Sequence, residues 1–258
     1  MKMRMLMFAL LAGCGTGAEV AEVAMPVEVS SDGMGPAITD LDYTISVSGL
    51  RAALADVAFA VPGDGIDTSQ APLRGPGNTP DFGHPGHSSG GDVTGELPGE
   101  HLIDWMADGA SLGTATLLAG DYAGVNFRFR RAHAGDGLEA GDPLLAHSVY
   151  IEGTASKGDV DIAFDAALDI DESYELVGAL FEHSVTAGDP AHLRFEIRTS
   201  EPYEGKTLFD GIDFAALDAN DENGADGDGR VEIRPGTEAH NKLRRTLQSH
   251  DYYVVIAQ

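Results

Sequence analysis

The sequence predicts a mainly β protein, an antiparallel β-sandwich with one C-terminal helix, and three observations support this. Apolar and polar residues alternate with a period of two in several segments, turn-forming residues separate these segments, and helical patterns are scarce. Such alternation is typical of antiparallel strands that pack on one face and meet water on the other. Two packed antiparallel sheets are the simplest architecture that buries all of the apolar faces.

The alternation is clearest in four segments, which in chain order are residues 41–48, 125–130, 160–170 and 193–198. In the third segment, Ile162, Phe164 and Leu168 lie on one face, and Asp161 and Asp165 lie on the other. Turn-forming clusters at residues 119–121 and 187–190 separate strands. A further strand is expected from His101 onwards.

Helical signals are concentrated near the C-terminus. Thr237 is a suitable N-cap, and Ala239, Leu243 and Leu247 follow one turn apart, which predicts a helix over residues 237–249. Residues 211–217 indicate a shorter helix. Residues 50–61 fit a helix and a strand equally well, and both interpretations stay open.

The first fourteen residues have the pattern of an export signal. Lys2 and Arg4 precede a short apolar run, residues 5–12, that is too short to cross about 30 Å of hydrocarbon. The tetrad Leu11-Ala12-Gly13-Cys14 resembles the lipobox of bacterial lipoproteins. The resemblance implies that residues 1–13 are a signal peptide and that lipid on Cys14 anchors the protein to a membrane. An ordinary signal peptide with an incidental cysteine is the alternative.

The residue after the cysteine bears on the location of the protein. Lipoproteins that stay at the inner membrane often have Asp at this position, whereas this chain has Gly15. The resemblance therefore favours an outer-membrane anchor, with the protein facing the periplasm or the cell surface. Cys14 is the only cysteine, so an intramolecular disulfide and a structural zinc site made of cysteines are excluded.

The remaining chain divides into a tether and a body. Residues 14–38 combine the lipidated cysteine with Gly, Ala, Val, Glu and Ser, and Pro26 and Pro36 interrupt them, so we interpret this segment as flexible. Residues 39–258 form one β-sandwich-like domain, within the size range of single-domain β proteins.

The charge of the chain excludes one class of partner. The chain has 16 basic and 42 acidic side chains, and removal of Lys2 and Arg4 with the signal peptide leaves 14 − 42, a net charge of −28. A field of this sign repels nucleic acid and attracts cations, so no nucleic-acid partner is expected. Solubility is the simpler reason for most of this charge.

A long Gly/Pro/His loop suggests a metal site. Residues 62–100 contain ten glycines and six prolines in 39 residues, and a loop of this length in a compact domain is usually functional or disordered. Imidazoles together with a carboxylate suit zinc or copper. The expected ligands are His84, His87, Glu96, His101 and His147. Histidines that are solvated, or that cap the loop backbone, are the alternative interpretation.

Two short segments add slight support for a metal. Residues 43–48 and 120–125 resemble parts of the methanobactin-associated copper-binding periplasmic proteins. That resemblance implies a β-rich fold with a histidine-dependent metal site, and it identifies no ligand in this chain.

The same loop contains a motif that resembles the nucleophile elbow of α/β-hydrolases, Gly86-His87-Ser88-Ser89-Gly90. That elbow requires a buried strand before the serine and a helix after it. The Gly- and Pro-rich flanks here can form neither, so we interpret the motif as a chance match. The sequence indicates no catalytic residues.

An acidic segment, residues 218–232, resembles an EF-hand-like calcium loop that follows a short helix. Closely spaced Asp and Asn on a Gly-bent loop can supply the six to eight oxygens that calcium needs. The expected calcium ligands are Asp218, Asn220, Asp226, Asp228 and Glu232. The segment departs from the pattern, because it is too long before Asp228 and has Pro235 where the closing acid belongs. A solvated acidic loop is the alternative.

The sequence therefore predicts a lipid-anchored envelope protein that binds zinc or copper for acquisition or sequestration, with a possible envelope transport partner. The alternative is a non-enzymatic, calcium-stabilised surface or structural module that binds a protein or a glycan.

Overall fold

The computed structural model describes residues 20–61, 93–170, 176–219 and 227–258, and strands dominate these residues. The strands are β1 (Glu22–Ser30), β2 (Ala37–Ile38), β3 (Thr44–Ala60), β4 (Val93–Asp104), β5 (Ser111–Leu118), β6 (Gly120–Phe129), β7 (Val149–Lys157), β8 (Val160–Leu168), β9 (Val177–Val185), β10 (Leu193–Ile197), β11 (Arg230–Ile233) and β12 (Tyr253–Ala257). The helices are α1 (Phe214–Asp218) and α2 (Glu238–Leu247), and 3₁₀ turns lie at Ala134–Asp136 and His250–Tyr252. The prediction of a mainly β protein is confirmed.

Hydrogen bonds join the twelve strands into one sheet with the order β11-β8-β7-β3-β4-β5-β1-β10-β12-β9-β6, and β2 pairs with β3. Because β6 also pairs with β3, eight strands close a ring, from β3 through β4, β5, β1, β10, β12 and β9 to β6. Strands β7, β8 and β11 extend the sheet outside the ring. The predicted sandwich of two sheets is not confirmed, since the pairing gives one continuous sheet.

Strand β3 makes this branching possible by changing partners along one edge. Residues 44–52 pair with β7 and residues 54–60 pair with β6, while residues 51–60 pair with β4 on the other edge. Residues 50–61 are therefore strand up to Ala60, which decides between the two interpretations of that segment.

Aromatic side chains fill the interior. Phe127 contacts Phe195 and Tyr253 edge to face, with ring centroids 5.4 and 5.0 Å apart, and Trp105 lies 6.0 Å from Phe195. Such pairs add about 0.5–1.5 kcal/mol each beyond the apolar area that they bury. Burial raises the pKa of Tyr253 well above its ordinary value, and its hydroxyl donates to the Leu247 carbonyl at 2.8 Å.

The two predicted helices are confirmed. Helix α2 buries Ala239, Leu243 and Leu247, and the Thr237 hydroxyl accepts a hydrogen bond from the His240 amide at 3.2 Å, as an N-cap does. Helix α1 begins after Asp213, three residues later than the pattern suggested. Among the described residues, no helix is long and apolar enough to cross a membrane.

The prediction of a flexible tether is wrong for residues 22–30 and 37–38, because they form β1 and β2 of the sheet. Strand β1 pairs with β5 and β10, and it buries Val23, Met25, Val27 and Val29 on one face. Pro26 suggested a break in the strand. Pairing with β10 starts only after Pro26, so its missing N–H does not remove a hydrogen bond from the β1–β10 pairing.

Substitutions in β1 test whether this segment is a packed strand or a flexible tether. Met25→Ala removes a fully buried side chain, so we expect the free energy of unfolding to fall by about 2–5 kcal/mol in urea titrations. Glu22→Ala, at an exposed position of the same strand, is expected to change it by less than about 0.5 kcal/mol. Equal, negligible effects of the two substitutions would contradict the placement of β1 in the core.

Candidate functional site

A bulge at Asp56 shapes the solvent side of the ring, which we call the outer face. The β3–β4 register shifts between Ala55 and Val57, and the β3–β6 register shifts between Ala55 and Ala58. Asp56 lies in both shifts with a φ of 54°, and Gly99 of β4 has a φ of 104°. Unpaired residues in a bulge bend the strand and redirect side chains, and bulges are common beside functional sites.

Two adjoining clefts lie on the outer face over this bulge. The larger, the bulge cleft, has a volume of about 400 Å³ and is lined by Ala55, Asp56, Gly99, Glu100, Arg128, Phe129 and Arg130. The smaller, the loop cleft, has a volume of about 210 Å³ and is lined by Asp56, Val57, Ala58, Val93, Glu96, Leu97, Pro98 and Gly99. Carboxylates line both clefts and guanidinium groups line the bulge cleft, and these are groups that bind ions.

A nearly buried ion pair closes one end of the bulge cleft. Arg130 donates two hydrogen bonds to Asp136, at 2.8 and 2.9 Å, and the two side chains are 10% and 8% exposed. The same guanidinium donates to the carbonyls of Leu54 and Arg131, so protein acceptors surround its positive charge. This pair fixes the 3₁₀ turn Ala134–Asp136 against the end of β6.

The pKa of Asp136 lies below its ordinary value. Burial raises this pKa, but hydrogen bonds from Arg130 and from the His133 backbone amide, together with the charge of Arg130, lower it by more. The carboxylate therefore contributes stability that is fully present above the unfolded pKa of about 3.9. That stability is lost as the pH falls through the lower pKa of the folded state.

Glu100 and His133 complete a cluster with this ion pair. His133 Nε2 lies 3.3 Å from Glu100 Oε2, and His133 Nδ1 lies 3.6 Å from Asp136 Oδ2. Arg130 Nε lies 3.5 Å from Glu100 Oε2. Glu100 and His133 are 56% and 58% exposed, so solvent and ions reach them directly. No pattern in the sequence connects Glu100 with a turn 33 residues away, and the spacing of His133 and Asp136 is the one local signal.

The structure separates the predicted metal ligands that it describes. Glu96 pairs with Ala58 and is exposed on the outer face, whereas His101 pairs with the buried Leu54 and so lies on the inward face. Burial lowers the pKa of His101, against the opposing effect of nearby backbone carbonyls, and its Nε2 has no hydrogen-bond partner among the described residues. His147 Nδ1 bonds to Asp169 Oδ1 at 2.8 Å. The structure thus does not assemble Glu96, His101 and His147 around one point.

Several predicted residues lie outside the described residues, namely Cys14, His84, His87, Ser88, Asn220 and Asp226. The described calcium candidates take part in other contacts. Asp218 accepts a hydrogen bond from the Gly229 amide and Asp228 accepts one from the Arg230 amide, both at 2.9 Å. The Glu232 carboxylate in β11 pairs with Arg234 at 3.0 Å. Calcium binding stays a prediction.

In comparisons with known proteins, no family model, no curated protein and no solved structure matches the chain.

Arg128 in β6 and Arg130, directly after its end, give a matched test of the buried ion pair. Arg130→Met leaves the Asp136 carboxylate buried without its cation, so we expect the free energy of unfolding at pH 7 to fall by about 3–5 kcal/mol. Arg128→Met breaks an exposed pair with Asp56, 47% and 55% exposed, and should cost at most about 1 kcal/mol. Losses of the same size in the two variants, measured by urea denaturation, would show that Arg130 has no special structural role.

Proposed function

We propose that the protein is a lipid-anchored protein of the outer membrane that binds a divalent transition metal, zinc or copper, for acquisition or sequestration. The observation that carries this proposal is the position of the β3–β4 connection. This connection, residues 61–92, joins Ala60 and Val93, which are paired neighbours in the sheet, and Val93 and Glu96 line the loop cleft. The connection that contains His84 and His87 thereby rejoins the sheet three residues before an exposed carboxylate, that of Glu96.

This arrangement suits a site with ligands from the loop and from the sheet. At about 3.3 Å per residue, Glu96 lies roughly 10 Å along β4 from the point where the loop rejoins the sheet. Two imidazoles and one carboxylate form a common ligand set for zinc and copper. The contacts of His101 and His147 favour a smaller set than the sequence suggested, with His84, His87 and Glu96 as ligands. The high negative charge of the chain raises the local concentration of any cation.

A calcium-stabilised module that binds a protein or a glycan is the second candidate. It is favoured by the positions of Asp218 and Asp228. Asp218 is the last residue of α1, and Asp228 lies between α1 and β11. Both carboxylates already order the backbone around Gly229 and Arg230, and calcium would add to this ordering.

Metal content tests the transition-metal site. The whole chain, purified from membranes in mild detergent without a histidine tag and equilibrated with zinc or copper, is analysed by mass spectrometry. We expect His84→Ala/His87→Ala to lose one equivalent of metal per chain relative to the parent. His192→Ala, an exposed histidine far from the loop in sequence, should lose none. Binding of calcium alone would transfer the proposal to the second candidate, and full retention of zinc and copper by the double variant would show that His84 and His87 are not ligands.

Lipid attachment is tested separately. We expect radiolabelled palmitate to be incorporated into the parent chain and the chain to sediment with membranes. Cys14→Ser should abolish the labelling and release the protein, because no other cysteine can carry the acyl groups. A Cys14→Ser chain that stays labelled or membrane-bound would contradict a lipid anchor at this residue.

A further inference from the structure

We infer that Glu100, His133 and Asp136 form a second site for a divalent transition-metal ion, one that does not use the loop histidines. One ligand atom from each of the three residues lies within 4.8 Å of the other two. The residues come from two separate elements, since Glu100 is in β4 and the other two flank or belong to the turn Ala134–Asp136. The fold therefore brings together donor groups that are distant along the chain.

The three donor groups are close enough to converge on one ion. Four tetrahedral ligands at about 2.0–2.2 Å from zinc lie roughly 3.4 Å from one another. The nitrogen–oxygen separations here are 3.3 Å to Glu100 and 3.6 Å to Asp136, measured from the two ring nitrogens of His133. Because one ring nitrogen binds a given ion, the exposed imidazole and the Glu100 side chain must rotate to aim one nitrogen and two oxygens at a single point. One imidazole with two carboxylates suits zinc-like divalent ions.

Arg130 acts on this site as a positioning residue. Its guanidinium holds both oxygens of Asp136 and approaches Glu100, so it orients the two carboxylates from the buried side. Ligating carboxylates are usually hydrogen-bonded to outer groups of this kind. Asp136 Oδ2 accepts from Arg130 and from the His133 amide, whereas Oδ1 accepts one hydrogen bond from Arg130 and so keeps a lone pair for a metal. The positive charge of Arg130 also opposes a bound cation. Because two carboxylates outweigh that one charge, a divalent ion is still attracted, with lower affinity than at a site free of arginine.

The site is accessible and has room for further ligands. Glu100 and His133 are more than half exposed, and Glu100 and Arg130 line the bulge cleft of about 400 Å³. Water or a small anion in the cleft can take the remaining coordination positions of the ion. The alternative use of the same atoms is an ion-pair network in which a protonated His133 joins the two carboxylates without any metal.

The test uses the whole chain with His84→Ala/His87→Ala, so that the loop histidines cannot contribute. Zinc is titrated by calorimetry, and cobalt is titrated as a spectroscopic probe whose visible absorption reports tetrahedral coordination. We expect one equivalent to bind, and His133→Asn in this background to weaken binding about tenfold or more. His192→Asn is the matched control, because His192 is 55% exposed and lies 3.8 Å from one carboxylate, that of Glu28.

The outcomes separate this site from the loop site. Retained binding in the His84→Ala/His87→Ala chain that depends on His133 and not on His192 supports the second site, even where the loop site itself fails its own test. The inference is overturned if this chain binds no zinc or cobalt, which leaves an ion-pair network only. Equal weakening by His133→Asn and His192→Asn overturns it too, because the binding is then unspecific attraction to acidic side chains.

Discussion

The backbone of β3 has two edges, and the sheet uses each of them for more than one partner. Along one edge the partner changes from β7 to β6 near Ala53, where Ala53 accepts from the Arg130 amide and donates to the Ser148 carbonyl. Buried backbone groups must be paired, so this exchange determines where β7 leaves and where β6 closes the ring. The bulge at Asp56 follows directly after the exchange, and the two clefts follow from the bulge.

Near this change of strand partners, a buried ion pair that stabilises the fold lies next to charged groups that solvent can reach. The Arg130–Asp136 pair is nearly buried and its hydrogen bonds are satisfied, which makes removal of one partner costly. Glu100 and His133 lie next to it but remain exposed, so their contacts contribute little to stability. A rigid charged pair beside two accessible donor groups would suit the metal site inferred above, because geometry is fixed on one side and ligand exchange is possible on the other.

The sequence predicted those features whose signals are local. Alternation identified β8, and the N-cap at Thr237 with its spaced apolar residues identified α2. Other features depend on partners distant in sequence. Pro26 kept β1 from being predicted as a strand, because the sequence does not show that Pro26 precedes the part of β1 that pairs on both edges. The inward orientation of His101 and the approach of Glu100 to His133 have the same kind of cause. Both depend on bulges and on pairing between distant segments, which the alternation of apolar and polar residues does not reveal.

The placement of β1 also changes what the proposed anchor can do. A tether up to residue 38 would let the body move far from the membrane, whereas β1 begins at Glu22, eight residues after Cys14. Eight residues span at most about 29 Å when fully extended. A lipid on Cys14 would therefore hold the acidic body close to the headgroups, where repulsion acts only within about 8 Å at physiological salt. If the protein is anchored in this way, a transport partner that exchanges metal with it would have to work at the same membrane surface, since such an anchor would allow no longer reach.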